Sequence, residues 1–190
     1  MSTAELDAYL LENWLDLEAA TSRGHEIDNA IHEAIADEVR KWVAARGWVG
    51  QFTTDDIWLA PPQWALPGAR RPEADARFSF YSVDDDDEIF WLTALTSVTS
   101  SQAGFGFWQK RMKSTPWKAI VSAPELLSRL PGFTLQDNAL FHPLKLDKAE
   151  VLEAAALGFY AQAVSNVTAV LDRLAEAAEV IDPYLGPRTE

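Results

Sequence analysis

The sequence contains no cysteine, and only three of its 190 residues are histidine. Without cysteine the chain has no thiolate nucleophile, no thiolate zinc site, no iron–sulfur ligation and no redox switch. A chain of this length buries roughly 70% of the surface that its unfolded state exposes, so it needs no disulfide or metal to fold. The hydrophobic fraction of 48% is ordinary for a globular protein and too high for a disordered one.

Basic residues are scarce: 16 Lys and Arg stand against 29 Asp and Glu, for a net charge of −13 at pH 7. Direct binding of nucleic acid requires a basic surface that neutralises phosphates, and anionic lipid attracts the same kind of surface. The charge balance therefore predicts no direct nucleic-acid binding and no docking on an anionic membrane.

Long apolar runs are also lacking. The chain starts Met1-Ser2-Thr3-Ala4-Glu5, without the basic and apolar regions of a secretory signal. The most apolar stretch, residues 151–164, is shorter than the 18 or so residues of a membrane span and is interrupted by Glu153. We therefore expect a soluble, cytoplasmic protein.

Catalytic and cofactor motifs are missing. His25 and His32 lie seven residues apart, about 10 Å along a helix, which is too far to ligate one zinc ion directly. His142 stands alone among apolar neighbours. Gly104 and Gly106 begin a Gly-x-Gly-x-x-Gly pattern that fails at Gln109, and no Gly-Lys-Ser/Thr or Gly-x-Ser-x-Gly occurs. The sequence thus predicts no catalytic residue, no cofactor and no metal; enzymatic activity stays open, with the balance favouring a non-catalytic protein.

The first 47 residues show helical periodicity. Leu6, Leu10, Trp14 and Leu17 recur at helical spacing, residues 21–24 interrupt the pattern, and a second apolar face follows from residue 27 to residue 42. This pattern predicts a helical hairpin that ends at a glycine, residue 47.

Residues 48–121 change to the period of β-strands. Residues 48–64 are extended but broken by Pro61-Pro62, which favours an edge strand or a connection. Alternation then predicts three antiparallel strands over residues 77–83, 89–98 and 104–110, the first two joined by an acidic turn. We expect a meander of three to five strands.

The C-terminal third returns to helix. Ser122-x-x-Glu125 predicts a short capped helix, and residues 133–144 a small hairpin around Asp137-Asn138. Asp147 opens a long helix, with Gly158 as the site of a kink and Pro183 at its end. The resulting class is α+β, a single domain over residues 1–190 with sub-regions 1–47, 48–121 and 122–190.

Three sets of residues are candidates for contact with a partner. Six carboxylates repeat at an interval of 21 residues, or three heptads, along the two predicted helices. Two helices that simply bury the same heptad positions would show the same repeat. The acidic run 84–88 lacks the alternating ligands and the glycine of a calcium loop, and is either a solvated turn or an acidic contact. Tryptophans and a basic cluster at 108–117 combine residue types that recur in interfaces, although the cations could instead cap a strand. The candidates are Glu5, Glu12, Asp16, Glu26, Glu33, Asp37, Asp85, Asp86, Trp108, Lys110, Arg111 and Trp117.

These features leave three hypotheses about function. The first is a non-catalytic acidic protein that binds a basic protein: an inhibitor, an immunity-type protein, a chaperone or a nucleic-acid mimic. The second is an accessory subunit of a larger complex that uses the aromatic and basic segment 105–118. The third is a small-ligand-binding protein or enzyme with a pocket between sheet and helices. The sequence does not determine the oligomeric state. It also does not determine whether the acidic surface has a function beyond keeping the protein soluble.

Overall fold

The computed structural model describes residues 2–54, 56–83, 91–96, 102–136 and 138–187. Helices at both ends of the chain pack around an antiparallel sheet, which confirms the α+β class. In chain order the elements are α1 (Thr3–Glu12), α2 (Trp14–Arg46), β1 (Val49–Thr53), β2 (Asp56–Ala60), β3 (Ala76–Ser82), α3 (Trp91–Leu95), β4 (Ala103–Gln109), α4 (Ser114–Val121), α5 (Pro124–Ser128), β5 (Thr134–Gln136), β6 (Ala139–Pro143), α6 (Lys148–Leu157) and α7 (Val167–Ile181).

The N-terminal region is a nearly continuous helix, so the predicted hairpin and its break at residues 21–24 are wrong. A capping box between Ser2 and Glu5 starts α1, and Asn13 alone separates α1 from α2. The helical hydrogen bonds continue across Asn13, whose amide donates to Tyr9 and whose carbonyl accepts from Leu17. One interior glycine costs a helix only about 1 kcal/mol, which is too little to end a helix of 33 residues.

The sheet is larger than the predicted meander. Its strand order is β1-β2-β3-β4-β6-β5, every neighbouring pair is antiparallel, and β3 and β4 pair over their full length. The region with the Pro61-Pro62 break contains the β1–β2 hairpin, and β2 lies inside the sheet rather than at its edge. The predicted hairpin near residue 138 is confirmed as β5–β6, with Asn138 at a φ of +66°.

The predicted strand over 89–98 is wrong in the part that the structure describes, where α3 occupies Trp91–Leu95. The cause is a tertiary contact: the carboxylate of Asp28 in α2 accepts hydrogen bonds from the amides of Trp91 (3.2 Å) and Leu92 (2.7 Å) at the start of α3. A carboxylate at a helix N-terminus satisfies free amides and complements the helix dipole. The predicted acidic turn, with Asp85 and Asp86, lies outside the described residues.

The C-terminal third differs from its prediction in two places. The sequence pattern did not predict α4, and Ser122, expected to cap the start of a helix, ends α4. The following helix, α5, begins at Pro124. Asp147 caps α6 as predicted, but the expected long helix is two helices, because Gly158 adopts a left-handed conformation (φ +67°) and ends α6. A 3-10 helix containing Pro183 follows α7.

The inner face of the sheet holds a cluster of aromatic rings. Phe78 and Phe80 on β3 and Phe105 and Phe107 on β4 are buried on the inner face, where their rings contact one another and Trp64. The buried apolar residues of α2 between Ile31 and Val43, and those of α7, belong to the same core cluster. Arg77, Tyr81 and Trp108 alternate with the phenylalanines and therefore face outward.

Candidate functional site

The acidic row lies along one helical axis instead of on two facing helices. Its six carboxylate residues are all exposed. Glu26 forms an ion pair with Arg23 (2.6 Å), and Asp37 with Arg40. Such i,i+3 pairs on an exposed helix contribute only a few tenths of a kcal/mol (about 0.2–0.5), so these carboxylates remain solvated.

The N-terminal arm, defined as residues 3–27, exposes large apolar side chains as well as carboxylates. No residue of α1 is buried, and the first buried residue of α2 is Asp28. Trp14 is 60% exposed, Leu11 76% and Leu15 78%. Leu10, Trp14 and Leu17 also line a shallow groove along the arm that ends near His25. At 1.5 Å per residue the arm is about 37 Å long, and its apolar surface lies outside the core.

Asp28 and His32 mark the point where α2 enters the core. Burial raises the pKa of the Asp28 carboxyl, while its hydrogen bonds from Leu92 and Trp91 act in the opposite direction. The His32 ring packs 4.9 Å from Trp91 and 5.7 Å from Phe80. Together these two side chains attach α3 to α2, a structural role.

Half of the predicted aromatic and basic contact segment is buried. Arg111 forms an ion pair with Asp75 (2.8 Å) in which both side chains are less than 10% exposed, and it donates to the Gln63 carbonyl. Trp117 is 7% exposed and packs against Phe107. Arg111 and Trp117 therefore expose little side-chain surface, because one belongs to a desolvated ion pair and the other packs in the core; their contact with a partner stays a prediction. Trp108 and Lys110 are exposed.

A cluster that the sequence analysis missed lies on the outer face of the sheet. The guanidinium carbon of Arg77 on β3 is 5.2 Å from the ring centroid of Trp58 on β2 and 5.1 Å from that of Trp108 on β4. Strand register creates this arrangement, because Arg77 pairs with Trp108 while Trp58 pairs with Ser79, one outward position further along β3. Alternation could have placed Arg77 on the polar face, but its neighbours depend on a register that local sequence does not specify.

A cavity of about 320 Å³ adjoins this cluster. Five polar side chains line it beside Arg77 and the two tryptophans; two of them come from β1 and β2, and the other three lie outside the strands. The five are Gln51, Asp56, Arg71, Glu73 and Lys110.

In the part of the chain that the structure describes, no three His, Asp or Glu side chains are grouped so that they could hold a metal ion. None of the helices described has both the length and the apolarity to cross a bilayer. Comparison with protein-family models, with curated proteins and with solved structures finds no match to this chain.

Proposed function

We propose that the protein is a non-catalytic acidic interaction protein that binds a basic protein partner through its N-terminal arm. The observation that carries the proposal is the arm itself: a nearly continuous helix with Trp14 60% exposed, no buried residue before Asp28, an apolar groove, and exposed carboxylates. An inhibitor, an immunity-type protein, a chaperone and a nucleic-acid mimic are the classes that fit this description.

The apolar groove supplies the energy for such binding. Burying a leucine-sized side chain contributes about 1.5–3 kcal/mol. Tryptophan is among the residues that most often dominate binding interfaces. Leu10, Trp14 and Leu17 are spaced four and three residues apart, which is the pattern by which a helix presents one face to a partner. The groove is thus a suitable contact for an amphipathic surface.

The charge of the arm restricts the partner. Between residues 2 and 23, Arg23 is the only basic residue and five carboxylates accompany it, namely Glu5, Asp7, Glu12, Asp16 and Glu18. A second acidic arm would be repelled, whereas a basic partner would be steered toward this surface, with an association rate that falls as salt rises. We therefore expect a basic amphipathic partner.

The accessory-subunit hypothesis retains less support. Of its four candidate residues in the 105–118 segment, only Trp108 and Lys110 are exposed, and Trp108 already packs on Arg77.

The test is affinity capture of the tagged protein from its native lysate, washed at low and at high salt and identified by mass spectrometry. One variant removes the apolar contact (Leu10→Ala, Trp14→Ala and Leu17→Ala), and a second reverses charge within the arm (Glu12→Lys, Asp16→Lys and Glu18→Lys). Exposed positions elsewhere provide matched controls. These are Leu152→Ala with Leu157→Ala, and Glu125→Lys with Glu153→Lys and Glu179→Lys.

We expect a stoichiometric basic partner that both arm variants lose and both controls keep. High salt should weaken capture by the wild type, because part of the attraction is between exposed charges. A partner lost equally from the arm and control variants would contradict the assignment of this surface. Absence of any partner at either salt concentration would count against the interaction function itself.

A further inference from the structure

We propose that the outer face of the sheet contains a binding site for a small ligand bearing a carboxylate or phosphate group, with Arg77 as the residue that binds the anion. The site is independent of the N-terminal arm, and the proposal does not rest on the proposed function.

Arg77 packs against two tryptophans, and one of its donors lacks a hydrogen-bond partner among the described residues. The indole rings of Trp58 and Trp108 pack against the guanidinium, at 5.2 and 5.1 Å from its central carbon. Its Nε is buried and has no hydrogen-bond partner among the described residues. Leaving a buried donor unpaired costs about 1–3 kcal/mol, and more for a charged group. A ligand oxygen that accepts a hydrogen bond from Nε would remove that penalty.

The geometry of a stacked guanidinium selects for oxyanions. When aromatic rings pack on its faces, the N–H groups remain directed along the plane, where they can donate two parallel bonds to a carboxylate or phosphate. Trp58 is almost fully buried, so it fixes one side of the arginine, while Trp108 is 45% exposed and offers further ring surface to a ligand. The arginine is therefore preorganised for bidentate binding.

The surrounding charges favour an anion in an otherwise acidic protein. Three cations, Arg71, Arg77 and Lys110, line the cavity against two carboxylates, Asp56 and Glu73. The net positive lining contrasts with the chain's total charge of −13. The volume of about 320 Å³ is at the small end of ligand pockets, which span about 300–1,000 Å³. Asp56, Glu73 and Gln51 can accept hydrogen bonds, so a ligand that also carries hydroxyl or ammonium donors fits best.

The test is a titration of the protein with sodium phosphate and with sodium succinate at constant ionic strength. The indole N–H signals in ¹⁵N-correlated NMR spectra report binding, and Trp58→Phe and Trp108→Phe assign the two relevant signals. We expect saturable shifts of these signals with at least one of the two anions. The anion that shifts them more strongly distinguishes a phosphate-bearing from a carboxylate-bearing ligand.

Variants then test the assignment of Arg77. Arg77→Gln should weaken binding by at least about tenfold, since it removes a charged bidentate donor. Because that change also disturbs the tryptophan packing, a second variant, Arg71→Gln with Lys110→Gln, alters only exposed cations and should weaken binding severalfold. The control is Arg70→Gln, an exposed neighbour outside the cavity lining, which should bind as the wild type does.

Two results would overturn the proposal. One is the absence of saturable shifts with either anion. The other is binding that persists unchanged in both Arg77→Gln and the Arg71 and Lys110 variant, which would place the anion elsewhere on the surface.

Discussion

At the scale of single residues, burial decides whether a charge serves the fold or faces solvent. Asp75 and Arg111 form an ion pair with side chains 6% and 8% exposed, which connects the start of β3 to the segment after β4. Lys110, one residue earlier, is exposed. Adjacent cations in one basic cluster therefore have different roles, and removing Arg111 would take a cation away from a buried carboxylate.

His142 is a second residue whose environment has a measurable consequence. Burial lowers the pKa of its imidazole and is the largest effect; the hydrogen bond to the Pro143 carbonyl acts in the opposite direction, and the positive charge of Arg173 lowers the pKa further. The ring packs at 5.0 Å from Phe133, and its Nδ1–H donates to the Pro143 carbonyl. The folded protein therefore binds a proton on this ring less readily than the unfolded chain does.

We predict that this histidine makes the protein less stable in mild acid. With its folded pKa below the unfolded value of about 6.5, the contribution of His142 is complete above that value and is lost as pH falls through the folded pKa. The substitution His142→Gln should reduce the fall in the free energy of unfolding that occurs as the pH decreases below about 6.5. Urea denaturation at a series of pH values measures it, and His25→Gln, at an exposed position, is the comparison. Equal slopes in wild type and His142→Gln would refute the assignment.

At the scale of elements, α3 depends on a contact that is distant in sequence. Asp28 and Leu92 are 64 positions apart, yet the carboxylate holds the first amides of this five-residue helix. A helix this short is not stable by itself, because its nucleation cost is not recovered by so few hydrogen bonds.

We therefore predict that Asp28→Ala releases α3 from α2. The loss of two charge-assisted hydrogen bonds should lower the free energy of unfolding by about 1–3 kcal/mol. Native-state hydrogen exchange should show faster exchange of the Trp91 and Leu92 amides. The matched control is Asn29→Ala, at the exposed neighbouring position on α2. It should leave the free energy of unfolding, and the free energy of opening measured by exchange at the two amides, within about 0.5 kcal/mol of wild type. Unchanged exchange at Leu92 in Asp28→Ala would contradict this account.

Elements governed by local signals were predictable, and those governed by distant contacts were not. The strict alternation of Phe78 and Phe80 identified β3, and the Asp147 cap identified the start of α6. The apolar residues of 91–95 suit strand or helix equally, and Asp28 determines the outcome. The effects of two glycines were predicted wrongly. Gly24 was expected to interrupt the helical pattern but lies within α2, whereas Gly158 was expected to kink a helix but ends α6.

The candidate sites follow the same division. Exposure of the acidic row could be predicted from helical periodicity, since carboxylates opposite an apolar face remain solvated. Burial of Arg111 and Trp117 could not, because Asp75 and Phe107 reach them only in the folded sheet. The Arg77 cluster requires the register of three strands, which the pattern of any one strand leaves open.

At the scale of the whole molecule, burial is divided unevenly between the two parts of the long N-terminal helix. From Ile31 to Val43 the helix contributes side chains to the core, and Trp42 donates through its indole N–H to Asp172 of α7 (2.9 Å). Residues 2–22 contribute no buried side chain. The stability of the core and the exposure of the arm should therefore be separable.

We predict that deletion of residues 1–22 leaves the core intact while it removes the proposed contact surface. The free energy of unfolding should change by less than about 1 kcal/mol, because surface segments without buried contacts contribute little. Helical circular dichroism should fall by the share of the deleted residues, and capture of the basic partner should be lost. Deletion of residues 1–35 is the contrasting variant: it also removes Ile31 and Ile35, both fully buried, and should cost several kcal/mol, since each large-to-small core deletion costs about 2–5 kcal/mol. If the shorter deletion destabilised the protein as much as the longer one, the arm would be packing on the core, and its apolar side chains would not be free to bind a partner.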